Sequence, residues 1–345
     1  QRSTAGELAR LIVAYGLATA RGRTWHDRSV AASLERIVGD YCRRHDLLEP
    51  GVPVLAMVSG GADSVCLMHV LAAVHDAPVV VLTIDHGLRP EAALETAAVQ
   101  ALAANLDVAC EVVALSLEEG PDLQQRARDA RASAAVSVAQ RLGCSRIATG
   151  HTATDQAETV LFRIARGTGR PGALGMAPRR NAFIRPLLGV TREHTAQWCV
   201  DHGLEVIEDP SNQDPRFTRT RVRHGLIPAL KHVHAGAERN VAAFADHLRD
   251  EQQLIGMVVE GAWRRCVGSR GLRVEALGQE HPALQRLLVR RLLADAGFSG
   301  GARESRHVER TRELLERPAE IELPGGHAAI VDRELVVVRR ERQPA

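Results

Sequence analysis

The sequence predicts an α/β protein: a doubly wound parallel sheet followed by a smaller, α-rich C-terminal domain. Three observations carry this. Residues 53–150 alternate short apolar runs with helical stretches, the rhythm of strand–helix–strand units. Those runs are rich in Val, Ile and Leu without alternation, which fits strands buried on both faces. From about 226 to 318 the pattern turns mainly helical.

Taken in order, VPVLAMV (52–58) reads as a buried strand and ADSVCLMHVLAAVH (62–75) as its helix. PVVVLTID (78–85) is a strand, followed by a helix over 90–106. CEVVAL (110–115) is a strand, and 122–143 a long helix. SRIATG (145–150) is a strand, and DQAETVLFRIA (155–165) a helix. Residues 166–178, RGTGRPGALGMAP, are rich in glycine and proline and read as a long loop. FIRPLL (183–188) and LEVIED (204–209) are candidate strands around the helix TREHTAQWCVDHG (191–203). The tail over 319–340 reads as short strands with a Gly-Gly turn. The expected domains are 29–225 and 226–345, with 1–28 an extension of uncertain role.

Composition excludes several classes. At 45% hydrophobic and 25% charged, the 345 residues are ordinary for a soluble globular chain. No stretch approaches the ~20 apolar residues of a membrane span. The N-terminal 25 residues lack a clear cleavage site, so a cytoplasmic protein is expected. Six cysteines, at 42, 66, 110, 144, 199 and 266, form no C-x-x-C, which favours reduced buried thiols over zinc or disulfides. Lysine occurs once, at Lys231. Seven arginines and no acid fall between Arg163 and Arg192, and four more with Lys231 between Arg216 and Lys231. Either stretch suits a phosphate-binding face or a solvated surface.

SGGADS (59–64) stands where ligands bind in open parallel sheets, beyond the carboxyl end of a strand. Two glycines allow a tight turn that exposes backbone N–H groups. With the next helix's N-terminus they make an anion cradle. G-x-x-x-x-G-K-[ST] is absent, and so is G-x-G-x-x-G at this strand. Asp63 beside phosphates calls for a divalent cation between them. A helix cap by Ser59 and Asp63 explains the same residues.

SGGADS nevertheless matches the SGG-x-DS loop of the N-type ATP pyrophosphatases, the PP-loop family, which split ATP into AMP and pyrophosphate. The resemblance implies that Ser59, Gly60, Gly61, Asp63 and Ser64 hold ATP's leaving pyrophosphate, with Asp63 on Mg²⁺. Further motifs follow in order: TIDHGLRPE (83–91), GHTATDQAET (150–159), RGTGRPGALGM (166–176), RPLL (185–188) and EDPSNQDPRFTRTRVRH (208–224). Together they resemble the tRNA(Ile)-lysidine synthetase family over residues 53–231, with a weaker match in the C-terminal segment.

The resemblance implies an ATP-dependent ligase. It joins free L-lysine to C2 of the wobble cytidine of a minor tRNA(Ile) with a CAU anticodon, and the family suggests a homodimer. His151 and Asp155 match the family's active-site pair. His151 is assigned to phosphate or oxyanion, and Asp155 to the lysine ammonium or its proton. Glu158 shares a helix face with Asp155 at three-residue spacing, although Asp155 also fits a capping box. Asp85, His86 and Arg89 are assigned to the nucleotide edge. Arg128, with Arg131, resembles a family signature on the long helix, and the resemblance implies a catalytic role for Arg128, where a solvated face is the competing reading. Arg166 and Arg170 in the glycine-rich loop, and Arg219, Arg221 and Arg223 downstream, are assigned to tRNA or the α-phosphate. Two positions depart from the family pattern: Thr154 stands where an aspartate is usual, and Thr220 where an asparagine is.

Overall fold

The computed structural model describes residues 31–85, 92–115, 120, 123–207, 218–298 and 304–339. The chain divides after Leu248 into two compact units.

The first unit opens with helix α1 (Ala31–Arg44). The alternation then runs as β1 (Val54–Met57), α2 (Ala62–Val74), β2 (Val79–Asp85), α3 (Ala92–Asn105), β3 (Ala109–Ala114), α4 (Leu123–Arg141), β4 (Arg146–Ala148) and α5 (Ala153–Ala165). After it come a single helical turn α6 (Arg170–Ala173), β5 (Arg179–Arg180), β6 (Phe183–Ile184) and α7 (Arg192–Asp201). Short helices α8 (Thr218–Arg221) and α9 (Ile227–Val233), joined by a π-turn over Val222–Leu226, lead to α10 (Ala237–Cys266).

The sheet order is β3-β2-β1-β4-β6-β5. Every pairing is parallel except β5 with β6. Register sets Leu55 beside Val80 and Ile147. Alternate residues of β1 and β2 enter opposite cores: Val54, Ala56, Val79 and Val81 pack with α1, α2, α3 and α7, while Leu55, Val80 and Leu82 pack with α4. Double-sided burial explains why these strands show no polar alternation in sequence.

Chain order reverses between β1 and β4, so their carboxyl ends lie side by side with a crevice between the loops that follow. Those loops are 58–61 and 149–152, the two motif positions singled out from sequence.

Three local expectations change. FIRPLL stays extended only through Ile184; Pro186 then opens a 3₁₀ turn, Pro186–Gly189, where its missing N–H is no loss. Residues 204–207 of LEVIED join no strand, and the rest of that stretch lies outside the described residues. The glycine-rich loop contains α6 and is pinned. The buried Gln156 amide bonds Met176 on both sides, accepting from its N–H at 2.7 Å and donating to its carbonyl at 3.0 Å. Arg163 donates to the Gly175 carbonyl at 2.8 Å.

The second unit combines α11 (Val274–Gly278), α12 (Pro282–Asp295) and α13 (Glu304–Glu313) with an antiparallel sheet. That sheet has the order β7 (Leu272–Arg273), β10 (Glu334–Arg339), β9 (His327–Val331), β8 (Glu320–Leu323). Leu272, Leu288, Val289, Leu292 and Leu335 form its core. Among the described residues no helix is long and apolar enough to cross a membrane.

Leu55 is fully buried in the centre of the sheet. Leu55→Ala is expected to lower stability by about 2–5 kcal/mol, read as a lower urea midpoint.

Candidate functional site: an arginine-bridged carboxylate cluster beside a glycine loop

Helix α2 begins at Gly61, and no side chain caps it. Neither Ser59 nor Asp63 serves as its cap, which leaves N–H groups at the start of α2 without a side-chain acceptor. Gly60 has φ +86°, and a Cβ there would stand 2.5 Å from Ile207 Cδ1. Both facts require glycine. Ser64 Oγ accepts from the Ser59 N–H at 3.1 Å and donates to the Gly61 carbonyl at 2.9 Å, which closes the loop on itself. From the neighbouring loop, Gly150 comes so near that a Cβ would sit 3.1 Å from the Asp63 and Ser64 backbone.

Asp63 leaves this loop toward Arg192. Arg192 Nε donates to Asp63 Oδ2 at 3.0 Å, Nη2 to Asp155 Oδ1 at 2.7 Å, and Nη1 to Glu158 Oε1 at 3.4 Å. Each guanidinium nitrogen thus serves a different carboxylate. Arg223 adds Nε to Glu158 Oε1 at 2.6 Å and Nη2 to Oε2 at 3.2 Å. Glu158 is fully buried, and the paired bonds from a planar fork make that tolerable.

Burial pushes the Asp63 carboxyl up; Arg192 and the Thr195 hydroxyl, which also donates to it, only partly offset this. Burial works against the Arg192 charge, but Asp155, Asp63 and Glu158 outweigh it and raise the guanidinium further. Arg192 therefore stays a cation.

Asp155 has two duties. Its Oδ2 accepts from the N–H and hydroxyl of Thr152, both at 2.9 Å, completing a capping box at the start of α5. Its Oδ1 faces Arg192, with Arg223 3.7 Å away. The cap reading and the site reading both hold, one oxygen each. His151 Nδ1 lies 2.8 Å from Thr149 Oγ1, whose proton is directed at the Ile184 carbonyl at 3.3 Å. That arrangement makes Nδ1 the donor and assigns the remaining chemistry to Nε2.

The other sequence candidates divide. Asp85 ends β2 at the same sheet edge. His86 and Arg89, and the Arg219 side chain, lie outside the described residues. Arg128 is exposed on α4, and no contact among the described residues joins it to the cluster. Arg166 is exposed, with its guanidinium 5.3 Å from the Phe162 ring centre. Arg170 donates to the Leu248 carbonyl at 3.4 Å. Arg221 is exposed and bonds Thr218. Arg192 itself was missed by sequence reasoning; its only signal was membership of the acid-free arginine stretch.

Among the described residues no three His, Cys, Asp or Glu side chains converge as a metal site. All six cysteines are free thiols. Burial raises Cys42 to about 12 and Cys144 and Cys199 to about 11, so they remain protonated and poor nucleophiles.

Comparison with known proteins gives this geometry a context. A PP-loop domain model matches residues 30–230, and a TilS substrate binding domain matches residues 272–344. A tRNA(Ile)-lysidine synthase of Leifsonia xyli subsp. xyli is 39% identical over 265 residues, covering 73% of this chain and 78% of that protein. The Streptomyces coelicolor protein of the same name is 34% identical over 311 residues, covering 84% and 87%. The chain belongs to the tRNA(Ile)-lysidine synthase family. Within this family the glycine loop makes the chain a PP-loop, ATP-using protein. The fold is shared with a U34-tRNA thiolase from Methanococcus maripaludis, TM-score 0.55 at 16% identity, over 64% of this chain and 78% of that one.

Glu158→Gln leaves two guanidiniums facing a neutral amide in a buried place. A loss on the order of 3–5 kcal/mol is expected, measured by denaturant unfolding. An unchanged midpoint would mean that the cluster does not hold α5 and the Arg223 segment together.

Proposed function

We propose that the chain ligates L-lysine to C2 of the wobble cytidine, C34, of a minor tRNA(Ile) carrying a CAU anticodon, with ATP as the activating substrate. The observation that carries this reading is the Arg192 bridge, which ties the phosphate loop to two buried carboxylates. In the first step the C2 oxygen attacks the α-phosphate and pyrophosphate leaves. In the second the lysine ε-amine attacks C2, the C2–O bond breaks and AMP leaves.

The first step builds negative charge at phosphate. The N–H groups at the start of α2, which no side chain caps, meet the departing pyrophosphate. His151 is assigned to a phosphoryl oxygen, to which its Nε2 donates only in the imidazolium form, because in the neutral ring Nδ1 carries the proton. Mg²⁺ would supply further charge neutralisation when bound with ATP. Asp63 is its protein ligand in this reading and shares its carboxylate with Arg192.

The second step needs an ammonium bound and then deprotonated. Asp155 Oδ1 and Glu158 already hold guanidinium cations, so an incoming ammonium exchanges one cation for another instead of entering apolar ground. Asp155 then takes the amine proton. The arginine-rich segments 163–192 and 216–231, together with the second unit, are assigned to tRNA. Shape and splayed anticodon bases supply specificity there. The cytoplasmic setting and the homodimer expected from the family belong to the same reading. Thiolation on the same scaffold is disfavoured by the protonated thiols and the absence of C-x-x-C.

Incubation with ATP, Mg²⁺, radiolabelled lysine and unmodified CAU tRNA should give label in RNA and one pyrophosphate per lysine. Asp155→Asn should cut transfer by about a hundredfold or more. Its amide oxygen can keep the Thr152 cap, but its amide nitrogen then faces Arg192, so the melting temperature should fall and transfer is compared at a temperature where circular dichroism shows the variant folded. Label that never reaches RNA would overturn the reading; near-normal turnover of the variant would remove Asp155 from the chemistry.

A further inference from the structure

Arg192 is the first residue of α7, after the N-cap Thr191. Its backbone N–H is therefore one of the first-turn donors with no carbonyl inside the helix. Thr154 Oγ1 accepts that N–H at 3.1 Å. The same hydroxyl donates to Glu238 Oε2 at 2.6 Å, across 84 residues of sequence. A hydroxyl has one proton. Glu238 Oε2 takes it, and the Thr154 lone pairs are left toward Arg192. Glu238 is buried, and its other oxygen lies 3.8 Å from Nζ of Lys231, the chain's one lysine. Lys231 is also bonded to Glu193 at 2.8 Å. These groups border a cavity of about 280 Å³ lined by Thr191, Glu193, His194, Lys231, Gly236 and Glu238.

We propose that Glu238 is a positioning residue for the ligase reaction: acting through Thr154, it fixes the backbone from which Arg192 reaches Asp63, Asp155 and Glu158. The inference rests on the function proposed above. A carboxylate in the first turn of α10 also suits that helix's own N-terminus, so the relay must be separated from plain helix stabilisation. Position 154 shows why an acid arrives from elsewhere. An aspartate there would face Glu238 across the same gap, and two carboxylates would compete for one proton. A threonine at 154 and a glutamate at 238 divide the work between hydroxyl and charge.

The relay makes a specific pattern. Glu238→Ala and Thr154→Val should each raise the KM for lysine by about tenfold, equivalent to about 1.4 kcal/mol, with the KM for ATP within about twofold. The double variant should be no worse than the worse single one, because both break one chain of contacts. Glu238→Gln and Thr154→Ser, which keep the acceptor and the hydroxyl, should retain most of the lysine affinity. A second readout needs no turnover. Amide hydrogen exchange of the peptide spanning Thr191–Thr195 should speed up in Glu238→Ala and Thr154→Val but not in Glu238→Gln. Additive losses, an unchanged lysine KM in folded Glu238→Ala, or unchanged exchange would overturn the relay. If the wild-type chain transfers no lysine, the functional reading falls by itself, and the exchange pattern still decides on Glu238.

Discussion

One guanidinium holds the site together. Arg192 reaches across 129 residues to Asp63 and across 37 to Asp155, so a single side chain ties α2, α5 and α7 into one charged cluster. Three carboxylates gathered this closely could not stay ionised without cations among them, because each would push the next one's proton affinity upward. With Arg192 and Arg223 between them they form a polar network inside an α/β crevice. Such a network is strong while complete and costly when broken. Asp63 shows the tension directly: burial raises its carboxyl, and Arg192 recovers only part of that.

The fold places this cluster where it can work. Strand order brings the ends of β1 and β4 together, and the loops after them carry the uncapped start of α2 and the His151–Asp155 segment. Gly150 lets the two loops approach to backbone contact with the start of α2. The cradle is stiffened by Ser64, which bonds both ends of its own turn. The glycine-rich loop after α5 is likewise fastened, by Gln156 and Arg163. Its composition alone reads only as a long loop.

Much of the architecture was legible because it rests on local signals. Apolar runs of four to seven residues marked β1 and β2, and Gly-Gly after an apolar strand marked the cradle. The three-residue spacing of Asp155 and Glu158 put both carboxylates on one face of α5. What was not legible depends on distant partners. Arg192 looks like any arginine until α7 packs beside α5, and Glu238 lies 84 residues from the hydroxyl it orients. LEVIED carries strand-like residues, yet Ile207 is used at the glycine loop: its N–H bonds the Gly60 carbonyl at 2.9 Å. Arg128, matched by pattern on α4, makes no described contact with the cluster, because motif spacing fixes a helix face and not what that face meets.

If Arg192 joins the two halves of the site, nucleotide and amino acid should bind with linked free energies. Calorimetric titration of a non-hydrolysable ATP analogue, with and without saturating lysine, measures that linkage directly in the wild type and in Arg192→Lys. The lysine variant keeps a charge but lacks the planar fork needed to span three carboxylates. The account predicts that lysine changes the analogue's Kd several-fold in the wild type and leaves it unchanged in the variant. Equal linkage in both proteins would contradict it.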